Sequence, residues 1–302
     1  MEFKLSNPDE RDYEIKRGKK VYKNPENQFR VSLVNIERIT ENDFWMSVDD
    51  SGNRFHSNIT NMNSKLRNHL TYNGETLGAI DLSNSQPYLS SLLLREAFWM
   101  KNSKSNTPNI YNSNMQSLFN NQSLSIMLVK VPAMLDNTDV YKFIDLVVRG
   151  KLYEFFAQKY YDNENFALVK SKDRRIIKDI VFSVLYSENC QMNKGKRLFK
   201  SLFPNVYGVF SLIKESGNEK LPILLQKLES DLFLKRIAKR ISKENPNTPI
   251  YTIHDNIATT LSNLDYISKV VYEECYKYTG LKPTLKKEIW AIGKLEGKRL
   301  AA

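Results

Sequence analysis

From residue 124 onward the chain settles into one rhythm. Apolar residues recur at three-to-four spacing through 139–148, 151–161, 171–187, 194–216, 220–243 and 264–279. That period predicts helices, each with one stripe to bury. Short apolar or β-rich runs near 77–81, 249–260 and 284–292 stand apart from it and read as strands. Helical stripes need a surface to cover, so the expected fold class is α+β, a small antiparallel sheet backed by helices. No internal repeat is visible.

The amino-terminal third carries a weaker signal. Residues 1 to about 50 mix charge with short β-like runs at 29–34 and 44–48, and read as a small cap. Residues 101–123, KNSKSNTPNIYNSNMQSLFNNQS, are rich in Asn and Ser and weakly periodic, which predicts a mobile, solvated insertion.

Composition narrows the partners. A chain of 302 residues with 41% hydrophobic and 26% charged residues can bury a sizeable core in one large or two intimate domains. Its net charge is +11, with Lys and Arg spread from IKRGKKVYK near the amino end to GKLEGKRL at the carboxyl end. A diffuse surplus suits a long polyanion; a surface tuned for solubility would look similar. Two cysteines, Cys190 and Cys275, and three histidines, His56, His69 and His254, show no ligand spacing. A zinc site or disulfide framework is therefore not expected. The acidic, polar amino terminus lacks a signal-peptide core, and no run approaches the roughly 18 apolar residues of a membrane span. A cytoplasmic, reducing setting with no membrane partner is the expectation.

Three segments carry chemistry. DRRIIKDIVFSVLYS, residues 173–187, sets Arg174, Lys178, Phe182 and Tyr186 four residues apart on one helical stripe, with Ile176, Ile177, Ile180, Val181 and Val184 nearly opposite. The cations suit phosphate oxygens and the rings suit a sugar and base; taken alone, the stripe also fits a solvated basic face. Ser171 is the expected N-cap. The strand at 77–80 ends in DLSNSQP, whose first residue is Asp81. PIYTIHDNIATT, residues 249–260, reads as two β runs joined by a tight turn at His254, Asp255 and Asn256. Two carboxylates at neighbouring strand ends can hold a pair of Mg²⁺ ions about 3.5 to 4 Å apart. Asp is equally at home in turns for structural reasons.

The order of these segments, an Asp-ending strand, a cationic-aromatic helix and a His-Asp hairpin, resembles motifs A, B and C of family A DNA polymerases and the related single-subunit phage and mitochondrial RNA polymerases. RRIIKDIVFSVLY is the most specific match. Weaker similarity extends over about residues 50–292: GNRFHSNIT ahead of motif A, LFKSLFPNVYGVFSLIK after motif B with its Phe203-Pro204 corner, LLQKLESDLFLKRIAKRI before motif C, and KEIW near the closing strand. The resemblance implies a palm at 51–95 and 190–302, and helical fingers at 96–189 that include the insertion. About 80 residues precede motif A, which leaves no room for an exonuclease domain and little for a thumb. Low processivity, a helper protein, or membership of a longer polypeptide would follow.

The resemblance also implies a set of roles. Asp81, Asp255 and the backbone carbonyl of Leu82 would hold two Mg²⁺ ions, with Mn²⁺ as a substitute. Arg174 and Lys178 would bind the incoming nucleoside triphosphate, and Lys178 would protonate the leaving pyrophosphate. Phe182 and Tyr186 would flank the sugar and nascent base pair, with Gln86 under the 2′ position. Arg54, Gln226 and His254 would contact the primer end and template. Three departures stand out: Gln86 where the DNA enzymes carry Glu, Tyr88 where an Arg is usual, and Ser187 where a Gly follows the motif B Tyr. The expected function is template-directed nucleotidyl transfer, most like a minimal DNA polymerase acting on a DNA primer-template. A small RNA polymerase or primase using RNA, and a nucleic-acid-binding protein without turnover, are the alternatives.

Overall fold

The computed structural model describes Ser6 and residues 13–16, 19–101, 107–111, 115–167 and 171–291. Strands β1 (Tyr13–Lys16) and β2 (Lys19–Tyr22) form one antiparallel pair, and β3 (Met46–Val48) and β4 (Phe55–Ser57) form another. Between them runs α1 (Pro25–Thr40). Residues 29–34, expected as a β run, lie inside this helix. Asn24 caps it by accepting from the Glu26 amide, and Pro25 takes the first turn, where its missing N–H costs nothing. Those two start signals outweigh the β-branched content of the run.

The main sheet joins β5 (Thr71–Tyr72), β6 (Glu75–Leu82), β7 (Tyr251–Ile253), β8 (Asn256–Thr260) and β9 (Leu285–Ile289). The long β6 is its spine, flanked by β8 on one side and β9 on the other, all antiparallel. Alternation along β6 divides its side chains between two faces. Ile80 and Leu82, with Ile257 of β8, enter the main core together with α2 (Ser85–Leu93) and, later in the chain, a helix at Leu264–Thr279. Leu77, Ala79 and Ala258 pack on the other face with Ile253 and Trp290 in a much smaller cluster. Asp81 is in phase with Leu77 and Ala79, so it stands on the face away from the main core.

The rest of the described residues are mostly helical, with α3 (Asn121–Lys130), α4 (Thr138–Val148), α5 (Leu152–Tyr160), α6 (Ser171–Tyr186), α7 (Lys194–Leu202), α8 (Pro204–Lys214), α9 (Lys220–Ser230) and α10 (Leu264–Thr279) as the longer helices. The corner between α7 and α8 falls at Phe203-Pro204, as the sequence predicts. The rings of Phe199, Phe203 and Phe210 meet Phe143 edge-on around that corner. Beyond Ser230 the α9 rod continues as a π-helix over Asp231–Ala238 before resuming as Lys239–Glu244. Ser171, expected as N-cap, is instead the first helical residue of α6.

The Asn/Ser-rich stretch is not a solvated loop where it is described. Ile110 and Met115 are buried in the main core, with Phe119 close behind, and α3 begins within it, capped by Asn120 accepting from the Ser123 amide. Asn109 accepts from the Tyr111 amide at 3.0 Å beside the buried Ile110, as Asn120 does from Ser123 at 2.7 Å. Residues 102–106 and 112–114 lie outside the described set.

Candidate active site

Antiparallel pairing aligns Asp81 with Asn256 on one side and with Lys286 on the other. Directly opposed residues share a face, with Cβ atoms about 4.5–5.5 Å apart, so Lys286, Asp81 and Asn256 form a row across three strands. Asp255 precedes Asn256 at the tip of the β7–β8 hairpin. Its carbonyl accepts from the Leu82 amide at 3.1 Å, and its Oδ2 accepts from Ser85 Oγ at 2.5 Å. Leu82 and Ser85 thus tie the hairpin tip to the end of β6 and the start of α2. The loop itself is His254 and Asp255, since Asn256 already belongs to β8. His254 carries a φ of 55°, an unfavourable conformation for a residue with a Cβ that persists only where its surroundings enforce it.

Asp81 senses the charge of Asp255. The Asp81 carboxyl is pushed up to about 6, first by burial and then by the charge of Asp255 and Glu288, against the pull of Lys286 and Lys178. A divalent cation between two such oxygens would remove both penalties. Among the described residues no three His, Cys, Asp or Glu side chains come together as a metal-holding group. Two carboxylates with a neighbouring carbonyl fit Mg²⁺, which keeps water and substrate oxygens as its other ligands.

Helix α6 faces this pair. Ile177, Val181, Val184 and Leu185 are buried, while Arg174 and Lys178 are exposed. The Lys178 ammonium lies 5.2 Å from the centre of the Phe182 ring, and Phe182 meets Tyr186 edge-on at 5.7 Å. Both rings are half-buried against the core. Arg174 lies 3.8 Å from Glu154 at the surface. Burial pushes the Tyr186 phenol above its usual range, with Glu229 and Asp255 adding to the shift and Arg54 opposing it. The helix thus brings the Lys178 charge within electrostatic range of Asp81 and the Tyr186 ring within range of Asp255.

Two lysines hold the far end of α6. Lys214 donates to the carbonyls of Val184 and Ser187 at 2.7 and 3.0 Å, and Lys196 donates to Ser187 Oγ and the Glu188 carbonyl at 3.0 and 2.6 Å. Cations at a helix carboxyl end satisfy its orphan carbonyls and oppose its dipole. Ser187, which stands in place of a Gly, contributes its hydroxyl to this cap. Tyr88, where the resemblance leads one to expect an Arg, is fully buried and donates to the Leu281 carbonyl at 2.7 Å, tying α2 to the segment just past the end of α10.

The remaining residues converge from α9 and the β3–β4 turn. Gln226, Glu229 and Ser230 lie three and four residues apart, on one face of α9. Ser230 Oγ donates to the Gly52 carbonyl at 3.0 Å, and Gln226 packs so closely on Gly52 that a Cβ there would stand 2.5 Å from its Oε1. Arg54 donates through Nη2 to Glu229 Oε1 at 2.9 Å. The other Glu229 oxygen accepts from Gln86 Nε2. His254 meets His56 edge-on at 6.0 Å, and His56 pairs with Asp49 at 3.2 Å. Burial, then the Arg54 charge, lowers the His254 pKa. Four buried polar atoms with no partner among the described residues lie in this neighbourhood: Arg54 Nε, Gln86 Oε1, His254 Nδ1 and Asn256 Oδ1. Unpaired buried groups are rare, and several on neighbouring residues mark a place where a polar ligand would bind.

Sequence reasoning did not single out Ser85, Glu229 or Asn256. Ser85 and Asn256 adjoin Gln86 and Asp255 in the chain. Glu229 stands one helical turn after Gln226, a spacing that could have pointed to it.

No family model matches the sequence, and no curated protein does either. No helix among the described residues is long and apolar enough to cross a membrane. Among solved structures, the chain is similar to the POL domain of Pol1 from M. smegmatis in complex with DNA primer-template and dNTP, with a TM-score of 0.57 and 11% identity. The match covers 88% of this chain and 52% of that one, so the chain spans about half of its structural neighbour. The likeness is one of fold, a polymerase-like palm with a small antiparallel sheet backed by helices, together with helical fingers.

Proposed function

We propose that the chain is a template-directed nucleotidyltransferase that extends a primer with nucleoside triphosphates, most like a minimal DNA polymerase. The observation that supports it best is the placement of Asp81 and Asp255 at adjoining strand ends, with the cationic and aromatic stripe of α6 beside them. In this reading residues 51–95 and 190–302 form the palm, 96–189 the fingers and 1–50 a cap.

Asp81, Asp255 and the carbonyl of Leu82 would hold two Mg²⁺ ions, which when bound would activate the primer hydroxyl and steady the departing pyrophosphate. Arg174 and Lys178 bind the triphosphate, and Lys178 gives the leaving pyrophosphate a proton. Phe182 and Tyr186 offer faces to the sugar and nascent base pair, and Gln86 lies beneath the sugar. Arg54, Gln226 and His254 receive the primer end and template. The basic surplus of the whole chain draws in the nucleic acid.

Primer extension by wild type and Asp255→Asn, on DNA and RNA templates with deoxy- and ribonucleotides in Mg²⁺, tests this. Incorporation by wild type and a loss of at least a thousandfold in the variant are expected. Tight nucleic-acid binding with no incorporation under any combination would leave a binding protein. Gln86, an uncharged residue where the DNA enzymes carry an acid, favours a second reading as an RNA polymerase or primase; strong ribonucleotide preference would select it.

A further inference from the structure

Burying a carboxylate is costly unless its partners are well placed. Glu229 is 2% exposed at its side chain, and nothing in the roles above uses it. A residue that merely filled space on α9 would be apolar. Instead both oxygens of this acid are engaged, one by Arg54 from the β3–β4 turn and the other by Gln86 in the first turn of α2. The acid joins the side of the site that faces the primer to the side that faces the nucleotide.

That engagement fixes which atoms remain available. With Nε2 turned to Glu229, the Gln86 carbonyl oxygen points the other way, and this oxygen is buried and unpartnered among the described residues. With Nη2 held, Arg54 retains a buried, unpartnered Nε–H. A free acceptor on Gln86 suits a sugar hydroxyl, and a free donor on Arg54 suits a base or phosphate oxygen.

We propose that Glu229 is a positioning residue of the nucleotide site, setting the Gln86 amide with its oxygen toward the sugar and the Arg54 guanidinium toward the primer end. This rests on the polymerase reading given above. It supplies from α9 the carboxylate that Gln86 itself lacks, and makes sugar choice depend on a residue distant in sequence from both aspartates.

The test is steady-state primer extension by wild type, Glu229→Gln, Gln86→Ala, the double variant Glu229→Gln/Gln86→Ala, and the exchange Gln86→Glu/Glu229→Gln. Primer-template affinity is followed separately by fluorescence anisotropy. Glu229→Gln should raise the nucleotide KM about tenfold with kcat within about threefold, change the ribo-to-deoxyribonucleotide ratio of kcat/KM, and weaken primer binding. Adding Gln86→Ala to Glu229→Gln should raise the nucleotide KM no further. The exchange restores an amide donating to a carboxylate, so it should recover the nucleotide KM while primer binding stays weak, because Arg54 then faces an amide. If Glu229→Gln fails to fold, recovery in the exchange decides the question. Wild-type KM and sugar ratio in folded Glu229→Gln, or additive effects in the double variant, would overturn the positioning role alone. A wild-type chain that incorporates nothing would overturn the polymerase reading and this one with it.

Discussion

Ser85 Oγ donates to Asp255 Oδ2 at 2.5 Å, joining the first turn of α2 to the tip of the β7–β8 hairpin. The bond crosses 170 positions of sequence and orients one of the two carboxylates by a neutral donor. Hydrogen bonds to charged groups contribute about 1.5–3 kcal/mol. Ser85→Ala should therefore lower the thermal midpoint by a few degrees and kcat at least tenfold in primer extension. Ser85→Thr, which keeps the hydroxyl, should retain most of the activity.

Gly195 opens α7 directly against α6. A Cβ at this position would stand 2.3 Å from Ile180 Cγ2 and 2.9 Å from Cγ1, inside any tolerable contact. Gly195→Ala should cost about 1–3 kcal/mol through overpacking. Thermal unfolding followed by circular dichroism would read this as a lower midpoint, and Gly195→Ala combined with Ile180→Val should recover part of the loss.

Gly52 meets α9 in the same way, with a Cβ 2.5 Å from Gln226 Oε1 and 2.9 Å from Gln226 Cβ. Gly52→Ala should lift the turn and loosen the hold of Glu229 on Arg54. Primer-template affinity, measured by anisotropy, should fall severalfold while single-nucleotide binding changes less.

Lys214 is buried, and its pKa is pushed down to about 8 by burial and by the neighbouring Lys196 charge. A base that loses its proton more easily when folded is held more weakly protonated in the native state than in the unfolded chain. Between about pH 8 and the ordinary value of 10.5 the unfolded chain carries more protons, so this group's contribution to stability rises with pH. Relative to Lys214→Met, wild type should gain unfolding free energy across that window, on the order of 3 kcal/mol at most. Chemical denaturation of both proteins at pH 7.5 and pH 10 reads it; a difference that does not move with pH would contradict it.

Much of the architecture was legible because it rests on local pattern. The apolar period of α6, the Phe203-Pro204 corner and the run of β6 each fit within a short window. The amino-terminal helix was misread because Phe29, Val31 and Val34 favour strands, whereas the deciding signal is the Asn24-Pro25 start. The Asn/Ser-rich stretch was misread because the burial of Ile110 and Met115 depends on partners far along the chain. The strand ends bearing Asp81 and Asp255 could be found by motif order, since each sits at a boundary. Glu229 could not, as its meaning lies in contacts with residues 143 and 175 positions away.

The wide-turn segment at Asp231–Ala238 sets a phase relation along the rod that carries Gln226 and Glu229. A π-helical stretch holds more residues per turn than an α-helix, so the same segment wound as an α-helix would turn the rod further between its two ends. That change would rotate everything upstream relative to the downstream helix, taking Glu229 away from its partners without altering a single side chain at the site. The winding of this segment is thus as much a part of the molecule's specification as the identity of the residues it aims.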